Sequence, residues 1–159
     1  MKRLVMLALC LLVLVSGAFA LDKAVGGGTL FHNIEDNWGP GVFVFFGIGQ
    51  FVELNAGVSF YTFGDESFTS FQGGIYGKYP IPLSDMFVFF PTAGLDIEYA
   101  SIGGNSDILL WGRGGLGLDI FFSERLFLRT HVIAGYAYDL TYDASGFGML
   151  IKVGLGWML

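Results

Sequence analysis

The chain has 159 residues, of which 53% are hydrophobic and 17% aromatic, while only 14% are charged and 25 are glycine. An ordinary soluble domain carries about 25% charged residues, so the composition argues against a water-facing globule. The net charge of −6 sets nucleic acid aside as a partner, because phosphate binding draws on clustered Lys and Arg.

The first twenty residues read as a secretory signal peptide. Lys2 and Arg3 open it, residues 4–15 form an apolar run, and Ser16-Gly17-Ala18-Phe19-Ala20 supplies an A-x-A site for cleavage after Ala20. Cys10 lies early in that run with Leu9 before it, where a lipoprotein box requires a small residue. Cleavage leaves residues 21–159 as one domain without a thiol. It also removes two of the eight basic residues, leaving six against fourteen acids.

Past residue 20, glycine and polar residues break each apolar run before it reaches the ~18 residues of a spanning helix. What repeats instead is a period of two, the signature of strands whose side chains alternate between faces. Residues 25–31 and 42–48 read as strands of undetermined facing, the first rich in glycine and the second apolar on both parities. Residues 51–61 set Val52, Leu54, Ala56, Val58 and Phe60 against Glu53, Asn55, Gly57, Ser59 and Tyr61. Residues 68–79 set Phe71, Ile75 and Tyr79 against Gln72, Tyr76 and Lys78. Residues 87–100 set Leu95, Ile97 and Tyr99 against Thr92, Asp96 and Glu98. Residues 108–121 set Leu110, Leu116 and Leu118 against Trp111, Arg113 and Asp119. Residues 126–138 set Leu128, Val132 and Tyr136 against Arg129 and His131. Residues 147–159 set Ile151, Val153, Leu155 and Trp157 against Lys152, Gly154 and Gly156.

Within each strand the ionisable residues share one parity, and none interrupts an apolar face. A lipid-facing Arg or Lys at the bilayer midplane costs about 2–4 kcal/mol. The polar face is rich in glycine and poor in charge, which suits a narrow filled lumen better than a solvated surface. The pattern therefore predicts an all-β fold: an eight-stranded antiparallel up-and-down transmembrane barrel, apolar outside and polar inside. Segments around 32–40, 64–67, 101–107 and 139–145 read as outer loops, with tighter links at 47–50, 79–85 and 122–125. Aromatics near strand ends (Phe60, Tyr61 and Phe63; Tyr99; Phe121 and Phe122; Tyr136 and Tyr138; Trp157) suit the bilayer interfaces.

Two stretches carry a resemblance. Residues 115–129, GLGLDIFFSERLFLR, resemble the descending strand, tight turn and ascending strand of the small OmpA/OmpX-type outer-membrane barrels. The C-terminal alternation Ile151, Val153, Leu155, Trp157, Leu159 is similar to the signal by which the barrel assembly machinery recognises its substrates, although that signal usually ends in Phe. The resemblance implies a bacterial outer-membrane location with lipid and the assembly machinery as partners. It implies little about activity, since one fold hosts many functions.

The polar parity gathers Glu53, Lys78, Asp96, Glu98, Arg113, Asp119, Arg129, His131 and Lys152, four acids, four bases and one histidine. Buried charges persist only when paired, and an eight-stranded barrel is just wide enough for side chains to fill. A salt-bridged, largely closed lumen is the expectation, with a narrow ion path as the alternative. Glu35, Asp36, Asp65, Glu66, Asp107, Asp139 and Asp143 make the expected outer loops acidic, without Lys or Arg. They read as a solvated cap or as a surface for divalent cations or basic ligands, although no loop has an EF-hand spacing. His131 is followed by Val132 and Ile133 rather than the His-x-Ser of barrel deacylases, and His32 reads as a loop histidine. The glycines at 26–28 and around Arg113 are not phosphate loops, because no helical pattern follows them. No catalytic residue, metal site or cofactor is assigned. The leading reading is a structural or surface-interaction barrel. A passive conduit for ions or an apolar solute is the alternative, and a lipid-modifying enzyme the third.

Overall fold

The computed structural model describes residues 23–34, 37–63, 66–102, 105–141 and 143–159, so the expected signal peptide lies outside the described residues. Eight long strands dominate: β1 (Lys23–Ile34), β2 (Asn37–Ile48), β3 (Val52–Phe63), β4 (Glu66–Lys78), β5 (Phe87–Ile102), β6 (Asn105–Phe121), β7 (Leu126–Asp139) and β8 (Ala144–Met158). Each pairs antiparallel with its sequence neighbours, and β1 pairs with β8 from Ala24–Met158 to Ile34–Gly148, closing the sheet. Closure satisfies the backbone groups that an edge strand would leave bare in hydrocarbon. The short segment Ile81–Pro82 pairs with Phe89 and Val88 at the start of β5, which runs past the end of β4. Both described chain ends meet at one end of the barrel, called the lower end, where the Leu159 amide donates to the Lys23 carbonyl at 2.8 Å.

Facing follows the sequence pattern on the six later strands. Leu54, Phe71, Ile75, Leu95, Ile97, Leu116, Val132 and Leu155 are exposed, and Glu53, Gln72, Asp96, Glu98, Arg113, Asp119, Arg129 and Lys152 are buried. Apart from Lys23 at the start of β1, no outward position of a described strand carries Asp, Glu, Lys, Arg or His. Such an exterior needs hydrocarbon as its solvent.

The two strands of undetermined facing now have one. Leu30 and His32 of β1, and Phe43 and Phe45 of β2, point inward and are buried, while Val42, Val44 and Phe46 are exposed. The described interior is therefore about half apolar, much of it aromatic, and not a purely polar column. The glycines make room for those rings: a Cβ added at Gly117 would collide with Phe90, and one at Gly156 with Phe127.

Three expectations need correction. The segment around 32–40 is not an outer loop, because β1 runs to Ile34, β2 starts at Asn37, and His32 pairs with Gly39. In the segments at 64–67, 101–107 and 139–145, residues 66–67, 101–102, 105–107, 139 and 144–145 are strand, while 140, 141 and 143 form a turn as expected. Glycine, asparagine and serine favour turns, but they still pair when a closed barrel holds the neighbouring backbones side by side. Finally, Tyr61 is not an interface ring. It lies inside, stacked on Phe68 at 4.6 Å, and Phe121 packs toward Phe127 at the lower mouth, 5.2 Å between ring centres.

Candidate functional site

The barrel interior holds the chemistry, arranged in two clusters. The lower one is built on a direct cross-strand pair, Asp119 of β6 and Arg129 of β7. The tight link at 122–125 sets their register and puts both on the inward parity. Arg129 Nε donates to Asp119 Oδ1 at 2.6 Å and Nη2 to Oδ2 at 2.5 Å, a fork that matches the carboxylate. Its Nη1 crosses the lumen to Glu53 on β3. Glu53 also receives Lys78 Nζ at 3.3 Å and Asn55 Nδ2 at 3.0 Å. The guanidinium lies over three rings, 4.5 Å from Phe45, 5.0 Å from Phe127 and 5.3 Å from Phe90. Two carboxylates compensate the buried cation, and the ring faces add cation–π contact.

The upper cluster centres on Arg113. Its Nη1 donates to Asp96 Oδ2 at 2.7 Å and to Gln72 Oε1 at 3.1 Å. Its Nη2 lies 2.9 Å from His32 Nε2 and 3.7 Å from Glu98 Oε2. Arginine has only donors, so His32 Nε2 accepts and its proton sits on Nδ1, 3.6 Å from Glu98 Oε1. Glu98 further receives Trp111 Nε1 at 2.6 Å and the Ser70 hydroxyl, and Tyr76 donates to Asp96. His32 is thus a buried lumen residue and not a solvated loop histidine. Its parity in a glycine-rich strand could not be read until β1 was registered against β8.

Lys152 lies between the clusters. Its Nζ donates to Asn55 Oδ1 at 3.3 Å and faces the rings of Tyr76 and Phe43 at 5.2 and 5.5 Å. His131 sits beside Lys152 in register and packs edge-on against Phe90 at 4.8 Å. Neither of its ring nitrogens has a hydrogen-bond partner among the described residues. The structure thus gathers eight of the nine polar-parity residues into a bonded framework and leaves His131 outside it. Gln72, Tyr76, Ser70, Trp111 and His32 are members that charge counting missed. The inward parity of the first four was visible, but neutral side chains give no sign of which charge they join.

The interior space is uneven. The gap at mid-lumen among Phe43, Asn55, Gln72, Asp96 and Lys152 has no room for a water molecule. A cavity of about 210 Å³ lies at the lower mouth, and a smaller one of about 80 Å³ lies near Trp111 and Asp139 at the upper end. Asp107, Asp139 and Asp143 belong to that upper end, where Tyr138 donates to Asp143 and the Thr141 amide donates to Asp139 at 2.7 Å. Glu35, Asp36, Asp65 and the Glu66 side chain lie outside the described residues. Among the described residues no three His, Cys, Asp or Glu side chains gather in a way that could hold a metal ion.

Solved structures share this arrangement. Neisserial surface protein A superposes with a TM-score of 0.56 at 13% identity, over 86% of this chain and 94% of that one. The fold is that of the small OmpA/OmpX-type outer-membrane barrels. The N-terminal β-barrel domain of Pseudomonas aeruginosa OprF matches with a TM-score of 0.54 at 17% identity, over 87% of this chain and 98% of that one. Ail, the attachment invasion locus protein of Yersinia pestis, matches with a TM-score of 0.51 at 11% identity, over 87% and 98% of the two chains. No protein-family model matches the chain, and no curated protein does. The shared fold is that of bacterial outer-membrane proteins, and the uncharged exterior fits the hydrocarbon such a membrane supplies.

Proposed function

We propose that this chain is a non-enzymatic outer-membrane barrel, structural or surface-interacting, whose lumen is closed by its own ion pairs. One observation carries the reading. Two clusters of paired charges, packed among aromatic rings, meet at a mid-lumen gap too small for water. A solute would have to separate Arg129 from Asp119 and Glu53, or Arg113 from Asp96, in a medium where a lone charge is very costly. His32 and His131 are both sealed inside, away from the outward face where a lipid substrate would lie, which argues against lipid chemistry.

The surface-interaction half of the reading rests on the upper end. Ail has been solved with the heparin analogue sucrose octasulfate, an anionic ligand. Here the described upper-end carboxylates Asp107, Asp139 and Asp143 have no Lys or Arg among them, so charge complementarity favours a basic partner. The strands run almost to the rim, so such a partner would meet a shallow rim rather than long loops.

The test is planar-bilayer recording of the refolded protein, with binding of a polylysine probe measured in parallel. The expected result is an absence of stable, large conductance steps, with polylysine retained by the protein and lost in an Asp107→Asn/Asp139→Asn/Asp143→Asn variant. Stable large steps would overturn the closed lumen and favour the conduit reading. Equal polylysine retention by the variant would overturn the acidic-rim reading.

A further inference from the structure

The cavity at the lower mouth has a use that a mere plug does not require. We infer that it is a binding pocket for a small ring-bearing carboxylate. The cavity, about 210 Å³, is lined by Ala24, Phe90 and Phe127 and by a charged floor of Lys78, Asp119 and Arg129. An apolar cavity of about 150 Å³ holds one benzene, so this volume suits one aromatic ring with a short acidic arm. Apolar walls with a few convergent polar groups are the usual make-up of a small-molecule site.

The floor decides the head group. Both oxygens of its one carboxylate, Asp119, receive Arg129, and Glu53, set back from the cavity, receives Arg129, Lys78 and Asn55. Its donors are less fully engaged. The Lys78 ammonium has three N–H groups and makes one hydrogen bond among the described residues, to Glu53 Oε2 at 3.3 Å. It shares that oxygen with Arg129. The spare N–H groups of Lys78 and Arg129 are cationic donor capacity, which an entering carboxylate completes and an amine, itself a donor, does not. The mid-lumen gap above admits no water, so the ligand enters and leaves by the same mouth. The pocket binds whether or not the upper rim takes a partner.

The experiment is calorimetric titration of the barrel in phosphatidylcholine nanodiscs, which avoid detergent in the pocket. Three ligands of one ring each are compared: phenylacetate, benzyl alcohol and phenethylamine. Saturable one-to-one binding of phenylacetate is expected, at least tenfold tighter than benzyl alcohol, with no saturable binding of phenethylamine. Ala24→Phe fills the mouth without touching a charge and should abolish binding. Lys78→Met should reduce phenylacetate to the level of the alcohol. Should Lys78→Met not fold, Ala24→Phe and the ligand series still decide. Phenylacetate heats no greater than with empty nanodiscs, an alcohol that binds as well as the acid, or full binding by Ala24→Phe would each overturn the inference.

Discussion

Replacing Arg129 with methionine removes the cation at the centre of the lower cluster. The substitution keeps an unbranched apolar stem among Phe45, Phe90 and Phe127 but removes the fork to Asp119 and the bond to Glu53. Glu53 retains Lys78 at 3.3 Å and Asn55 at 3.0 Å. Asp119, buried at 6% exposure, loses both of its hydrogen bonds from Arg129. Removing one partner of a buried pair costs about 3–5 kcal/mol, because the remaining charge is left uncompensated. At ~1.4 kcal/mol per tenfold, the folded-to-unfolded ratio should fall roughly 100- to 4000-fold. The assay is reversible denaturant unfolding in lipid vesicles, followed by the fluorescence of Trp38, Trp111 and Trp157. Arg129→Met/Asp119→Asn should recover most of the loss, since the amide carries no charge. An Arg129→Met loss under about 1 kcal/mol, or a double variant no more stable than the single one, would refute the reasoning.

Three further perturbations test other parts of the structure by the same unfolding measurement. Leu95→Arg places a cation on the lipid face of β5 and should cost about 2–4 kcal/mol if that face lies near the bilayer midplane; a cost near zero would mean the face is wet. Gly156→Val drives a branched side chain into the Phe127 ring and should cost about 1–3 kcal/mol by overpacking, whereas Gly112→Ala, where an added Cβ meets nothing within 4 Å, should be close to neutral. Trp111→Phe removes the indole donor to Glu98, 2.6 Å away, and should cost about 1.5–3 kcal/mol, the range for a hydrogen bond to a charged group; an unchanged unfolding midpoint would show that the bond contributes nothing.

By itself, the sequence determined the barrel and the inward side of six strands. The reason is steric: a period of two maps each residue to a face, and hydrocarbon tolerates no unpaired charge on the outer one. It also put Asp119 and Arg129 on the inward side of two strands joined by a tight link, while their pairing came from the register. Contacts across the lumen were beyond its reach. Glu53 and Arg129 lie 76 residues apart, and which acid meets which base depends on strand tilt and stagger, to which alternation is blind. The facing of β1 and β2 was equally hidden, because glycine has no side chain to pattern and a strand apolar on both parities fits either way. Only closure of β1 onto β8 showed that Phe43, Phe45 and His32 turn inward and join the rings and charges of the other strands.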